Sequence, residues 1–586
     1  MENIKALSSD SSLLFLTQQH HRASCHQQQA DDFRSPSHHH FIITMSTQNT
    51  NFTSNYEDII SRSILIRSGS PSVYQLKPKK EEIGSLTRMT VGERNMNKTN
   101  RTILLVGESG SGKSTLINSL VNYTMGVKFE DKVWFQIVKE EKISQSESQT
   151  SDVIVYQIFG FEGETLPYSL TIIDTPGYNS TKGIKCDLII SERLFDLFRS
   201  EDGVHEVNAV GLVIKASDNR LSDRLMYVLN SVVSLFGKDL EKNIIALITH
   251  SDGRKPRNAL EALEAAKVKC AKNEKNQPVH FLFNNCQSED GTEEEEEENL
   301  QSADKISVRG MTGFTTFLEK NEPQKLEKTV DVLKEHIRLT ACIQNLEERI
   351  NLTELKQNEI KLILEKMKKH KEQNEKNKKF TLEVDEVYNE KEPIGGGMMG
   401  LVFYKGAVCC TVCEENCHNP GCTEAWKPKH CEVMYKGHCT VCTNKCPVSA
   451  HVKEKWKYVT KTRRVQKTEA EMKQKFKKNK SESEKKLRLL ENLEKEMNQL
   501  TSEKSQLLDE AYQHVVRLEQ IALNVNSLST YVHLDFLIDK MKDGGDREKV
   551  QKLEEMKNRE DEGTRAALKY MKTKQDLENN VESTVL

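Results

Sequence analysis

Two sets of residues in this sequence are spaced for chemistry. The first is GESGSGKST, residues 107–115, which follows the apolar run TILLV and precedes LINSLVN. It reads as G-x-x-x-x-G-K-S/T between a strand and a helix, the setting that makes this pattern specific. Gly107, Gly110 and Gly112, with Ser109, Ser111 and Thr115, let backbone N–H groups converge on phosphate oxygens at a helix N-terminus. Lys113 is expected to reach the β- and γ-phosphates, and Ser114 to ligate Mg²⁺.

The second set is written twice. Cys410, Cys413, Cys417 and Cys422 recur at an offset of 29 residues as Cys439, Cys442, Cys446 and His451. Each quartet supplies four soft or borderline ligands, sufficient to close a tetrahedral Zn²⁺ site with no position left for water. The expected role is therefore structural, with about two zinc ions in a small head that has little apolar mass of its own. Cys409, His418, His430, Cys431 and His438 are alternative ligands, so the two sets could also be interleaved. Of the chain's 14 cysteines, nine lie between Cys409 and Cys446, and in a reducing compartment such clustering favours metal over disulfides.

Further segments bear on the nucleotide. DTPG (174–177) ends an apolar strand, where a P-loop GTPase carries the aspartate that holds Mg²⁺ through water and the glycine that senses the γ-phosphate. Those roles fall to Asp174 and Gly177. THSD (249–252) ends a later strand, and Asp252 can accept two hydrogen bonds from guanine, a pairing that adenine does not offer. Thr249 belongs to the same loop, and FNN places Asn284 and Asn285 in a base-contacting loop. Thr150 is the expected switch threonine that joins Mg²⁺, together with Ser114 and Asp174.

On these residues the chain resembles two families. GESGSGKSTLINSL and DTPG are similar to septin-type GTPases, and THSD and FNN to AIG1-type GTPases, the GTPases of immunity-associated proteins. The resemblance spans about residues 100–320. It implies a Ras-like fold, binding of GTP or GDP with Mg²⁺, and pairing or polymerisation through the G domain. The chain departs from both families in its long Cys-bearing extension, and from Asn-Lys-X-Asp in THSD. Tyr178 stands where Ras-like enzymes place the glutamine that orients the attacking water, so turnover is expected to be slow and faster on self-association. His250 or a residue of a partner subunit could assist.

The elements that must position these groups follow from periodicity. TILLVG, VIVYQIF, LTIIDTPG, AVGLVIKA, NIIALITH and VHFLFNN read as buried strands, with helices over 187–200 and 221–236, implying a parallel sheet with crossovers. Beyond residue 322 the pattern changes. Leu339, Ile343, Leu346, Ile350, Thr353, Gln357, Ile360, Leu364 and Met367 alternate steps of four and three, and a second seam runs from Lys486 through Leu507 and Ala511 to Ile521. Both predict an antiparallel coiled coil, with ordinary bundle helices as the rival reading. FTLEVDEVY (380–388) and KYVTKTRRVQKT (457–468) alternate and could pair as a ribbon.

The expected architecture is an α/β Ras-like P-loop G domain followed by a long antiparallel helical hairpin carrying a cysteine-rich zinc head. Its segments are a disordered 1–55, an extended lead-in 56–99, the G domain 100–320, an outgoing helix 322–379, the ribbon and head 380–468, a returning helix 469–524 and a charged helical 525–586. Charged residues are 30% and aromatics 6% of the 586, a balance that suits long solvated helices. Lys+Arg (85) nearly cancels Asp+Glu (88), so net charge points to no obligatory nucleic-acid or membrane partner. The acidic run 293–298 reads as a solvated loop. No apolar run reaches the roughly 20 residues of a bilayer span, and the patch Leu13–Leu16 is too short for a secretory signal, so a cytoplasmic protein is expected. Two rivals to a GTPase switch are a nucleotide-bound scaffold without turnover and a zinc-hook type ATPase, which would need a second head half in 525–586. The arm's protein partner is not identified by sequence.

Overall fold

The computed structural model describes residues 56–83, 86–139, 152–178, 184–218, 222–289, 294–372, 381–394, 406–419, 427–468, 482–523, 528–559 and 564–573. Thr150, Cys422 and the first 55 residues lie outside these ranges.

The first half of the chain alternates strands and helices. Helix α1 (Glu57–Ser61) precedes β1 (Ile64–Arg67), β2 (Ser72–Gln75), β3 (Lys79–Ile83) and β4 (Leu86–Val91). The phosphate-loop motif links β5 (Asn100–Gly107) to α2 (Lys113–Thr124). There follow β6 (Val133–Gln136), β7 (Ile154–Ile158), β8 (Ser169–Asp174), α3 (Ile184–Arg199), β9 (Glu206–Val207), β10 (Ala209–Lys215) and α4 (Asp223–Val233). The half closes with β11 (Ile244–Thr249), α5 (Arg257–Ala265), β12 (His280–Leu282), α6 (Glu294–Lys320) and β13 (Gln324–Lys325).

Eight of these strands form the main sheet, in the order β12-β11-β10-β5-β8-β7-β4-β3, while β1, β2 and β6 form a separate three-stranded sheet. From β12 to β8 neighbours are parallel, so the carboxyl ends of five strands share one edge. The expected crossover pattern breaks at β7, which runs antiparallel to β8. The intervening residues 159–168 are too few for a crossover helix, so a hairpin is the available connection. Residues 56–99 add strands to the sheet: β4 pairs with β7 and β3 with β4. The period-two rule assigns the faces. Ile103 and Leu105 pack with Leu116 and Leu120 of α2 and Phe314 of α6, whereas Leu104 and Val106 face Leu194, Leu225 and Leu229 of α3 and α4. The acidic run is not a loop. Residues 294–298 open α6, where glutamates suit the positive helix end while staying in water.

Beyond the sheet, β13 pairs with β9 and fixes where α7 (Glu327–Glu372) leaves the domain. Helix α8 (Glu482–Ile521) packs against it antiparallel: Glu335 meets His514 and Arg517, while Arg349 meets Glu503. Leu339, Ile343, Leu346 and Ile350 bury against Leu507, Ala511, Val515 and Leu518. The buried seam is shared, because α9 (Leu528–Gly544) and α10 (Arg547–Lys557) bring Leu534, Leu537, Val550 and Leu553 into the same core. This half of the arm is a small helical bundle, the rival of the two-stranded seam. Farther out, Leu355 and Leu362 are exposed.

The head departs most from expectation. After α7, β14 (Thr381–Pro393) pairs along its whole length with β20 (Trp456–Thr468), and the head's short strands lie between them: β15 (Ala407–Cys410), β16 (Glu415–His418), β17 (Met434–Tyr435), β18 (His438–Cys439) and β19 (His451–Glu454). The ribbon folds back along α7 instead of extending it. Thirteen residues per strand span about 43 Å. That nearly matches the roughly 47 Å of helix between Ala341 and Glu372. Ala341 accordingly packs into the cysteine cluster. The head therefore stands at the base of the arm, not at its tip.

Candidate functional site

At the shared strand edge the phosphate loop is shaped by glycine. Gly110 and Gly112 hold φ values of +76° and +89°, which side-chain-bearing residues rarely adopt. A Cβ on Gly107 would lie 2.4 Å from the Val213 carbonyl. Gly112 caps α2 with no side-chain hydrogen bond, leaving the N–H groups of the first turn to the loop's concavity. Inside it Lys113 is buried, and its Nζ donates to the carbonyls of Gly107 (3.0 Å) and Glu108 (2.9 Å). Burial lowers its pKa to about 8, against the opposing pull of Asp174 and Glu108. Ser111 is 1% exposed and its Oγ has no hydrogen-bond partner among the described residues. These features fit a polyanion, which would meet the ammonium, the hydroxyl and the helix end together. Ser114 and Thr115 follow in the first turn of α2, half-buried, and Ser109 begins the loop.

The other predicted residues gather around this loop. Asp174, at the end of β8, is fully buried. Gly177 lies against the loop, where a Cβ would come within 2.4 Å of Ser109 Cα. Backbone bonds from Tyr178 N to Gly107 O (3.1 Å) and from Ser109 N to Tyr178 O (3.0 Å) close that contact. The Tyr178 ring sits in the hydrophobic core, so it packs rather than substituting for a water-orienting glutamine. Thr249 is a tie, its Oγ1 donating to Ser111 O at 2.7 Å. Left-handed His250 places its ring beside Gly112, and burial together with Lys215 pulls its pKa below the usual imidazole value. Asp252 is exposed, one oxygen accepting from Arg254 N at 2.9 Å. Ser251 N donates to Phe283 O (3.0 Å), joining this loop to Asn284 and Asn285. Ser307 Oγ orients that pair, accepting from Asn284 N and donating to Asn285 Oδ1, each at 2.9 Å. Sequence reasoning missed one loop contact, the ion pair of Glu108 with Arg224 at the start of α4. Acid and base lie 116 positions apart, as 224 minus 108 gives, and no local pattern joins them.

The head brings most of the cysteine motif together, but not as two consecutive quartets. One group is Cys410, Cys413, Cys442 and Cys446; the other is Cys417, Cys439, Cys442 and His451. Within each, the donor atoms lie within 4.8 Å of one another, so each could hold a metal ion. No described cysteine is in a disulfide. The second copy of the repeat is split between the groups: Cys446 falls in the first, Cys439 and His451 in the second, and Cys442 in both. Backbone N–H groups of Cys413, Cys442 and Cys446 point at the sulfurs of Cys410, Cys439 and Cys442, each at 3.3 Å. Hydrogen bonds from Cys417 and Cys442 hold Cys439 far below the usual thiol range. His418 and Cys431 form a separate contact at 3.3 Å, and Cys409 Sγ lies 3.4 Å from Asn416 Oδ1.

Polar contacts hold the head to its surroundings. Asn345 and Glu348 of α7 bond Asn416, Arg349 meets Glu415, and Arg338 donates to the Glu432 carbonyl. Glu432 also pairs with Arg199 of α3, within the sheet domain.

Residues 101–311 match the AIG1 family model. Immune-associated nucleotide-binding protein 13 of Arabidopsis thaliana is 31% identical over 158 residues, 26% of this chain and 39% of that protein. Septin-1 of Mus musculus is 28% identical over 228 residues, covering 34% and 55% respectively. The chain thus spans about two fifths to just over half of these relatives. The structure of Toc33 from Arabidopsis thaliana in complex with Mg²⁺ and GMPPNP aligns with 39% of this chain and 88% of its own, at 16% identity and a TM-score of 0.26. Among the described residues no helix is long and apolar enough to cross a membrane.

Proposed function

We propose that this chain, which carries a P-loop G domain resembling the AIG1 and septin type, binds GTP with Mg²⁺ and acts as a slow nucleotide switch. Its nucleotide state would govern self-association through the G domain and the pose of the helical arm and metal-bearing head. The observation that carries the reading is the phosphate loop: a buried ammonium, a buried hydroxyl with no partner among the described residues and two left-handed glycines face one concavity. Lys113 would bind the β- and γ-phosphates, and Ser114, Asp174 and Thr150 would hold Mg²⁺, which neutralises phosphate charge when bound. Gly177 would sense the γ-phosphate through its contact with Ser109. Asp252 would select guanine, flanked by Asn284 and Asn285, while Thr249 ties that loop to the phosphate loop.

Turnover is slow in this reading because Tyr178 is packed in the core. The same observation favours the second reading, a nucleotide-bound scaffold without useful hydrolysis. A zinc-hook ATPase is disfavoured, since α9 and α10 pack on the arm and the head stands at its base. In the head the cysteine groups would bind structural Zn²⁺, with His451 as the one imidazole ligand. Its Nδ1 lies 3.0 Å from Pro447 O, a bond that sets the tautomer and leaves Nε2 for a metal.

The test is binding of GTP, GDP and ATP to the metal-replete chain, followed by light scattering with GDP and with a non-hydrolysable GTP analogue. Guanine-selective binding with a mass increase in the GTP-like state is expected. Equal binding of ATP and GTP would sink the G-domain reading, and a mass independent of nucleotide would sink the switch.

A further inference from the structure

We propose that the head holds one binuclear zinc cluster in which the Cys442 thiolate bridges both ions. The inference rests on the zinc reading above and goes beyond it, because that reading requires only two structural ions. The two donor groups have Cys442 in common, so four and four members amount to seven side chains. A closed structural zinc site takes four ligands. Among the described residues, both sites close only if one donor bonds twice. A thiolate sulfur has the lone pairs to do so, and an imidazole nitrogen does not.

The geometry suits such a centre. Zinc–sulfur bonds of about 2.3 Å give a tetrahedral sulfur–sulfur edge of about 3.8 Å. Cys413 and Cys446 present their sulfurs at 3.6 Å. Cys442 is fully buried at the junction of the groups, and the Cys446 N–H points at its sulfur. His451, 5% exposed, is the one imidazole of its group: its buried Nε2 has no oxygen or nitrogen partner among the described residues, and the imidazole faces the Cys442 sulfur. Such a polar atom beside three sulfurs is costly unless it has a partner, and a metal ion is the partner the surroundings offer. Ala341, Val408, Val433 and Val441 pack around the cluster, of whose seven members only Cys413 is partly exposed. Sharing a thiolate also removes one negative charge from this enclosed place, compared with two separately closed sites.

The test is cobalt substitution of the full-length chain, followed by electron paramagnetic resonance during stepwise loading. A shared thiolate couples the two high-spin ions antiferromagnetically. The signal should rise with the first equivalent and fall as the second binds, with about two metals per chain at the end. A signal that grows in proportion through both equivalents would overturn the bridge while leaving zinc binding intact. Saturation at a single ion would also overturn it, and absence of metal binding would fail the zinc reading itself. Variants give an independent arm. Cys442→Ser should abolish the coupling and lower occupancy of both positions, whereas Cys422→Ser should retain two coupled ions. If each of these variants instead loses one ion, two separate sites replace the cluster. Should Cys442→Ser fail to fold, the loading curve of the unaltered chain still decides.

Discussion

The phosphate loop and the cysteine head are both small, polar and dependent on backbone N–H groups aimed at anions, yet they are built in opposite ways. The loop is contiguous in sequence and stands on a sheet whose strands would be buried with or without a ligand. The head draws its donors from residues 410–451, and its core consists largely of the cysteines themselves. One site is supported by its fold; the other is expected to supply its own. Removing the ligand should separate them most clearly. Chelating zinc should cost the head about 10–16 kcal/mol per structural ion, enough to unfold it. GTP binding by the sheet domain should survive. Hydrogen exchange with and without chelator measures both, and loss of GTP binding together with the head would mean that the regions are not independent.

Substitutions in the loop should show the converse. Lys113→Ala removes a charge-assisted phosphate contact and should weaken GTP by about 10- to 100-fold, with zinc content unchanged. Asp252→Asn should weaken GTP by a similar or smaller factor and shift preference toward xanthine nucleotides. Isothermal titration with the two nucleotides reads the shift, and an unaltered preference would remove Asp252 from base selection.

This contrast also sets what could be read in advance. The strands holding the phosphate loop were legible because buried parallel strands are unbroken apolar runs, as in TILLVG and NIIALITH. The loop residues were legible because they are neighbours in sequence. In the head the repeat did not show the grouping: an offset of 29 suggests that each copy closes its own site, whereas the donors of the second copy are divided between two groups that share Cys442. The ribbon's direction was hidden too, since alternation predicts pairing but not whether the pair continues or reverses. The reversed ribbon brings the head onto polar residues of α7 (Asn345, Glu348 and Arg349, which contact Glu415 and Asn416) that look like an ordinary solvated face in sequence.

A smaller effect concerns the arm that joins the two regions. Glu335 is 2% exposed between the helices, bonded by His514 at 2.9 Å and flanked by Arg338 and Arg517 at 3.3 Å. Burial alone would raise its pKa, but the His514 hydrogen bond and the surrounding cations outweigh that, and the carboxyl titrates below its usual value of 4.5. A depressed carboxylate stabilises the fold above its unfolded pKa, and that contribution is lost as pH falls through the folded value. The arm should therefore loosen below about pH 4.5, while Glu335→Gln should already cost about 1–3 kcal/mol at neutral pH. Exchange rates at the 335–350 and 507–518 segments, followed against pH, check both. A variant whose exchange keeps the pH dependence of the parent would exonerate Glu335.

The smallest expected effect tests whether the two regions communicate. Glu432 of the head pairs with Arg199 at the end of α3, whose start follows the DTPG loop by only a few residues. Arg199 is held by Asp196 at 3.1 Å and by the face of Phe195 at 4.9 Å, so little side-chain freedom remains to be lost on pairing. Both partners are mostly shielded from solvent, with side-chain exposures of 23% and 11%. The pair should then approach the upper end for partly exposed ions, about 1 kcal/mol. Arg199→Glu should loosen the head's seat by at least that amount, since it sets like charges together, and Glu432→Arg added to it should restore part of the loss. The interaction energy of the double-mutant cycle isolates the contact from other effects of each change. If the cycle energy also differs between GDP and the GTP analogue, α3 transmits nucleotide state to the head. By linkage, seating of the head through this contact would then alter nucleotide affinity by the same factor. A cycle energy of zero in both states would leave the head as a neighbour of the G domain without coupling to it.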